Sequence, residues 1–233
     1  MNKFRFESVI LSLGIFLLGL CIYWGLTSVA ERDRVVSVRG LAEREVMANQ
    51  VIWPIVYKIT GNDLNALYKD MNAKNKRIND FLTKNGLNKE EISITAPEIN
   101  DKQADRYNSD WKGDRYNITV TLTVASSQVE KIRELIPRMG ELLQDGIAIS
   151  RGEWNSKVQY EFTDLNKIKP EMIEEATRNA REAAEKFATD SESNLGKIQS
   201  ATQGLFSISD RDQYTPHIKT VRVVTSVNYF LES

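Results

Sequence analysis

The sequence YNITVTLTV, residues 116–124, alternates apolar and polar side chains without interruption. Successive side chains of a strand point to opposite faces of a sheet, so a period of two places the apolar residues on one face. Sheets with one solvated face are typically antiparallel. Residues 116–124 therefore predict a strand of an antiparallel sheet with one dry face and one wet face.

Two more strands are predicted upstream. Residues 36–40 alternate apolar and polar side chains. After a charged interval, residues 51–59 place large apolar side chains at every second position: Val51, Trp53, Ile55, Tyr57 and Ile59. The two segments predict strands whose order suits a long hairpin. Pro54 has no amide hydrogen, so it places the second strand at an edge or a bulge. Further strands are predicted at residues 92–99, 154–162, 198–208 and 221–231.

Three segments have a helical period instead. The first follows Asn62, a candidate N-cap, and stops before Gly86. The second opens at Ser127 and is split by Pro137, and the third begins at Pro170. The resulting order is ββαββαβαββ, and adjacent strands favour antiparallel pairing over βαβ winding. We therefore predict an α+β fold, a mainly antiparallel sheet with three helices packed on it.

An apolar segment from Val9 to Ala30 contains no charged residue. About 20 apolar residues are enough for a helix to cross a bilayer, so this segment predicts an N-terminal transmembrane helix before the fold. The small residues Ser28, Val29 and Ala30 also fit a signal peptidase site, and the alternative is cleavage after Ala30. We assign residues 1–30 to a membrane anchor or uncleaved signal and residues 34–233 to an exported domain.

The charges that flank the apolar segment predict its orientation. Lys3 and Arg5 precede it, whereas the charges that follow it cancel. Positive charge favours the cytoplasmic side, so we predict a single-pass protein of the cytoplasmic membrane with its N-terminus inside. The domain then lies in the periplasm or outside, and cleavage would release it to the periplasm.

The chain offers few groups for catalysis or for ligand chemistry. Its one cysteine, Cys21, lies in the apolar segment, and its one histidine, His217, stands between a predicted loop and strand. Common zinc sites need several such ligands, and no phosphate loop or nucleophile elbow occurs. We predict no enzyme activity, no catalytic or metal-binding residues and no cofactor, and we interpret His217 as a surface group. The net charge of −1, without a basic cluster, argues against nucleic acid as a partner.

Two polar connections, residues 100–114 and 207–217, combine aromatic side chains with charges of both signs. Aromatic residues and arginine are enriched at protein interfaces. The alternative is a mobile, solvated loop whose rings fold back on the sheet. The candidate contact surface comprises Arg106, Tyr107, Trp111, Arg211 and Tyr214.

Three sequence features together resemble the SIMPL-domain family of bacterial proteins. They are VVSVRG at residues 35–40, the alanine-spaced ATRNAREAAEKFA at 176–188, and LGKI at 195–198. The resemblance spans Val35 to Leu231. It implies a periplasmic or envelope protein without established catalytic residues, in a family with ring-like or channel-like oligomers and links to oxidative or envelope stress. Many members look secreted, whereas this apolar segment suits an anchor.

These observations predict a non-enzymatic, membrane-anchored envelope protein. We expect it to form a homo-oligomer or to bind an envelope protein through sheet edges and the two aromatic connections. One alternative is a periplasmic module that binds a small ligand between the helices and the sheet. Another is a hydrolase with an unrecognised site.

Overall fold

The computed structural model describes residues 13–25, 34–104, 112–150 and 156–232. Within these ranges it contains four α-helices and ten strands. The helices are α1 (residues 13–25), α2 (Leu64–Lys84), α3 (Val129–Arg138) and α4 (Leu165–Asp190). The strands are β1 (Val35–Met47), β2 (Gln50–Gly61), β3 (Ile92–Ile94), β4 (Glu98–Asp101), β5 (Tyr116–Ser126), β6 (Ile149–Ser150), β7 (Gln159–Glu161), β8 (Asn194–Gln203), β9 (Ser207–Asp210) and β10 (Ile218–Glu232).

The chain divides into two compact units. The central unit comprises Glu45–Asp164 and Ser209–Lys219, and the terminal unit comprises Met1–Arg44, Leu165–Ile208 and Thr220–Ser233. Each unit has its own sheet, so the prediction of one sheet is wrong while the α+β, antiparallel character is confirmed. The ends of β1, β9 and β10, at residues 45–47, 209–210 and 218–219, belong to the central unit.

The central unit is built around the pairing of β2 with β5, which runs antiparallel from Val51 opposite Ser126 to Gly61 opposite Tyr116. The sheet order is β3-β5-β2-β6, with β4 also on β5 and β7 also on β2. Helices α2 and α3 cover one face. The apolar side chains of β2 and β5 are buried there, as the alternation predicts: Val51, Trp53, Ile55, Tyr57, Ile59, Ile118, Val120, Leu122 and Val124.

Pro54 occupies a position on β2 that tolerates a missing amide hydrogen. It lies opposite Thr123 of β5. On the other side of β2, β7 pairs with residues 50–52 and β6 with residues 56–57. Pro54 falls between these two short strands, where no described residue pairs with β2. Pro54 therefore lies at a local gap between two partner strands, and this gap takes the place of the predicted edge position.

The terminal unit has a sheet of order β1-β10-β8, in which β9 also pairs with β10. Helix α4 buries a row of alanines: Ala176, Ala180, Ala184 and Ala188. A Cβ atom on Gly40 would lie 1.8 Å from the carbonyl oxygen of Ala176 and 2.4 Å from the nitrogen of Ala180. Only glycine allows β1 to approach the alanine face of α4 this closely.

Several predicted boundaries differ from the structure. Strands β1 and β2 lie in different sheets, so they do not form a hairpin. Helix α2 is capped by Asp63 rather than Asn62, because the Asp63 carboxylate accepts the amides of residues 65 and 66 at 2.8 and 3.3 Å. Helix α4 begins at Leu165, before Pro170, and α3 passes into a 3₁₀ turn after Pro137, as expected for a split helix. The order also gains three strands, since 92–99 and 198–208 are each divided and β6 is added.

The helix count differs from the predicted three, because α1 adds a fourth helix to α2, α3 and α4. Helix α1 covers part of the predicted membrane segment, and residues 9–12 and 26–30 of that segment lie outside the described residues. Most of its large side chains, including Phe16 and Trp24, are exposed. Within the part of the chain that the structure describes, no helix is both long and apolar enough to cross a membrane.

Candidate contact site

The connection from β9 to β10, residues 211–217, is a tightly bonded loop that we call the Tyr214 loop. Asp212 organises it: one carboxylate oxygen accepts the backbone amides of Tyr214 and Thr215, both at 2.8 Å. The other oxygen accepts the Thr215 hydroxyl. An aspartate that accepts amides two and three residues ahead fixes a local turn. The loop is therefore held by its own side chains.

Arg211 ties this turn to the rest of the central unit. Its guanidinium donates to the Asp212 carboxylate at 3.1 Å, to the Thr215 hydroxyl at 3.0 Å and to Glu45 of β1 at 3.3 Å. The Thr215 hydroxyl and the Arg211 guanidinium hold the pKa of Asp212 well below its usual range. Of the predicted contact residues, Arg211 thus acts as a brace within the loop.

Tyr214 lies at the tip of the loop and is 84% exposed. A tyrosine presented on an ordered loop brings a large contact area at little cost in conformational entropy. The structure thus places Arg211 and Tyr214 in one loop, with the ring outermost. The other three candidates, Arg106, Tyr107 and Trp111, lie outside the described residues.

His217, at the end of the loop, is buried rather than a surface group, so that interpretation is wrong. Its side chain is 9% exposed, and its ring meets Tyr160 of β7 edge-on, with centroids 6.0 Å apart. Its carbonyl oxygen accepts the amide of Ala48 at 2.8 Å. Burial lowers the pKa of His217, because the charged imidazolium loses hydration there.

Lys219 and Asp210 form a charged pair that the sequence did not indicate. Lys219 is only 7% exposed, and its ammonium donates to the carboxylate of Asp210. The pair borders a cavity of about 300 Å³ that Tyr160 and Pro216 also line. The predicted strands end at residue 208 and begin at residue 221, so both residues lie between them. If both predicted strands are extended towards each other, Asp210 and Lys219 become an opposite-charge pair across the hairpin. Such pairs stabilise neighbouring strands, so this pair is the sequence signal for a longer hairpin.

A second concave surface, the α4–β8 groove, lies in the terminal unit. Its volume is about 750 Å³. One wall is α4 and the other is the first half of β8, with Tyr229 of β10 below. The groove residues used below are Arg178, Arg181, Leu195, Lys197, Ile198 and Tyr229.

Strand β8 is the outer strand of its sheet. It pairs with β10 on one side, and among the described residues no strand pairs with its other side. The amide of Gly204 donates to the carbonyl oxygen of Val224 at 2.8 Å. The register continues from Gln203, opposite Thr225, to Ser200, opposite Asn228. Because hydrogen bonding alternates along an antiparallel ladder, the amides of Ala201 and Gln203 point away from β10.

Glu91 has a lowered pKa that its hydrogen bonds explain. Burial raises its pKa, but hydrogen bonds from the Ser126 hydroxyl at 2.5 Å, the Asn88 amide at 2.7 Å and Gln128 outweigh that effect and lower it. These bonds join the turn before β3 to the end of β5. In the described ranges, no group of three or more histidine, cysteine or acidic side chains is arranged to hold a metal ion.

The fold and the site define a class of protein with two antiparallel sheets, in which an alanine-faced helix packs against a glycine of the first strand. Residues 36–226 match the family model described as SIMPL, protein of unknown function (DUF541), and the chain therefore belongs to the SIMPL family. The resemblance seen in the sequence is confirmed. A search of curated proteins finds no match to the chain.

Proposed function

We propose that the chain is a non-enzymatic, membrane-anchored envelope protein that contacts further copies of itself or another envelope protein. The Tyr214 loop is the proposed contact, and the free edge of β8 offers a second one. A role in oxidative or envelope stress, which the resemblance in the sequence implies, is part of the proposal.

The observation that carries the proposal is the combination of order and exposure in the Tyr214 loop. Asp212 and Arg211 hold the backbone, so Tyr214 need lose little freedom when it meets a partner. Interface hot spots are enriched in tyrosine for this reason. A loop that only closes a hairpin does not need a nearly fully exposed ring on a braced backbone.

Anchoring is supported by α1 and by the sequence around it. All thirteen residues from 13 to 25 are uncharged, and most of the large ones are exposed, including Phe16, Ile22 and Trp24. Exposed apolar side chains on a helix favour lipid over water. Anchoring also confines copies to two dimensions, which raises their effective concentration for self-association.

Self-association is tested by light scattering of the full chain in detergent, at several protein concentrations. We expect a mass above that of a monomer, and we expect Tyr214→Ser to shift the distribution towards the monomer. Tyr68→Ser is the matched control, because Tyr68 is an exposed tyrosine on α2, outside the loop. A strict monomer at high micromolar concentration, without any partner crosslinked through the loop, would contradict the proposal.

Location is tested separately. The mass of the mature protein from membranes distinguishes an anchored chain from one cleaved after Ala30. A reporter fused to the C-terminus should be active outside the cytoplasm in both cases. Activity of the reporter only in the cytosol would overturn the envelope assignment together with the contact role.

A small-ligand module is the second candidate function. The α4–β8 groove supports it, because about 750 Å³ lies within the range of ligand pockets. A metabolite that raises the melting temperature of the full chain would favour this function. The matched variant is Ile198→Asp, which places a charge in the groove and should abolish the shift for an apolar ligand.

A further inference from the structure

We propose that the α4–β8 groove binds an extended acidic segment of a partner protein, which adds to the edge of β8 as a further strand. This binding deepens the contact proposed above for the edge of β8, in the terminal unit, and does not depend on the Tyr214 loop. The partner segment has alternating acidic and apolar side chains on an extended backbone.

The free edge of β8 supplies the backbone half of this recognition. At residues 200–203, where β8 keeps a regular register with β10, its outward amides and carbonyls have the spacing that an added strand satisfies. The register shifts between Asn228 and Leu231, opposite the groove residues 195–198. Strand addition to an exposed edge is a recurring way to bind peptides. Residues 196–203 are mostly exposed, so nothing in the described terminal unit covers this edge. A partner strand would therefore replace water along β8.

The groove supplies the side-chain half. Leu195 and Ile198 border it beside the ring of Tyr229, so it has an apolar base next to the edge. At about 3.3 Å per residue, residues 195–198 run for about 13 Å, the length of four extended residues. Every second side chain of an added strand would point towards the groove, and the remaining side chains would point away from it.

The charges around the groove select an acidic partner. Arg181 is already paired with Glu185 at 2.9 Å. Arg178 and Lys197 border the groove without an ion pair among the described residues, and they face one unpaired acid there, Glu174. Two positive charges, on Arg178 and Lys197, against the one negative charge on Glu174 leave one excess positive charge. A carboxylate on the partner would pair with it and would be steered towards it.

The same charges argue against other occupants. In a twofold contact between two β8 edges that is centred on the groove, Arg178 and Lys197 of one copy approach their equivalents in the other, and like charges across a strand pair are destabilising. A small anion would pair with the cations but would leave the edge amides to water. An extended acidic segment uses both features.

The test is fluorescence anisotropy with the full chain in detergent and three labelled hexapeptides. The first alternates glutamate and valine, the second alternates lysine and valine, and the third is the acidic peptide methylated on alternate backbone nitrogens. We expect the acidic peptide to bind at least about ten-fold more tightly than the basic one. N-methylation should weaken binding at least about ten-fold, because it removes strand hydrogen bonds.

Charge-reversal variants locate the site. Arg178→Glu and Lys197→Glu should each weaken binding of the acidic peptide, whereas Lys186→Glu, the same change on an exposed position of α4 outside the groove, should not. The proposal is overturned if the acidic peptide does not bind, if N-methylation has no effect, or if succinate competes as well as the peptide. Loss of self-association in Arg178→Glu, with no change in peptide binding, would instead assign the groove to a second copy. The peptide comparison decides even if a variant fails to fold.

Discussion

The hydroxyl of Tyr57 donates a hydrogen bond to the side-chain oxygen of Asn75 at 2.8 Å, joining the middle of β2 to the middle of α2 inside the core of the central unit. The same hydroxyl lies 3.2 Å from the carbonyl oxygen of Met71. Burial, reinforced by the negative charge of Asp70, raises the pKa of Tyr57, so the hydroxyl keeps its proton and remains a donor. The pair fixes the position of α2 on the sheet.

Tyr57→Phe should therefore destabilise the protein by about 1–3 kcal/mol, because it leaves the buried oxygen of Asn75 without a donor. The free energy of unfolding from urea denaturation measures this change. Tyr68→Phe on the exposed side of α2 removes the same atom and should have little effect. If the two variants were equally stable, the hydrogen bond would contribute nothing to the fold.

Gly40→Ala should be more severe than most single substitutions. The new methyl group would overlap the backbone of α4 at Ala176, so α4 must move away from β1 or the terminal unit must lose its packing. Overpacking of a core commonly costs about 1–3 kcal/mol, and a clash with helix backbone belongs at or above the upper end of that range. Gly140→Ala is the matched control, because its methyl group would meet no atom within 4 Å. Thermal melts of both variants make the comparison, and equal melting temperatures would contradict the packing described for β1 and α4.

The buried His217 should make stability fall in mild acid. Burial, with the nearby charge of Arg133, lowers its pKa, and Arg211 acts in the same direction against Glu130 and Asp212. An unfolded histidine titrates near a pKa of about 6.5, so below that pH the unfolded chain binds the proton more readily than the folded chain. The stabilising contribution of neutral His217 is thus complete above about pH 6.5 and declines as the pH falls towards the lower folded pKa.

Melting temperatures between pH 8 and pH 5 measure this effect. His217→Gln keeps a side chain of similar size without a group that titrates in this range, so the difference between the two curves isolates the histidine. We expect the native chain to lose more stability than the variant as the pH falls. Parallel curves would contradict a buried neutral imidazole.

The local periodicity of the sequence was enough to predict β2, β5 and α2, because each buries one regular face. The partner of β1 was not predictable in the same way. Strand β1 pairs with β10, from the opposite end of the chain, and Leu231 donates its amide to the carbonyl of Arg34 at 2.8 Å. A hairpin with the next strand satisfied the same alternation, so only long-range packing separates the two topologies.

The site was partly predictable. The aromatic and charged composition indicated Arg211 and Tyr214. It did not show that Arg211 holds the loop in place, whereas Tyr214 is exposed. That distinction depends on Glu45, which belongs to a distant strand. The groove beside β8 was not predictable in detail, because its charge balance depends on which arginine of α4 is already paired.

Asp212→Ala should loosen the Tyr214 loop without unfolding the protein. The change removes the acceptor of two backbone amides and of the Thr215 hydroxyl, and it leaves Arg211 with Glu45 as its remaining acidic partner. Hydrogen exchange at the amides of residues 214 and 215 should accelerate at least about ten-fold, whereas exchange in β2 and β5 should not change. Asp190→Ala, an exposed aspartate at the end of α4, is the control.

Because the pKa of Asp212 is lowered, the native loop should also keep its amide protection below pH 4, where an ordinary aspartate becomes protonated near a pKa of about 3.9. Unchanged hydrogen exchange in the Asp212→Ala variant would show that other contacts order the loop. Asp212 would then not be what holds the backbone around Tyr214.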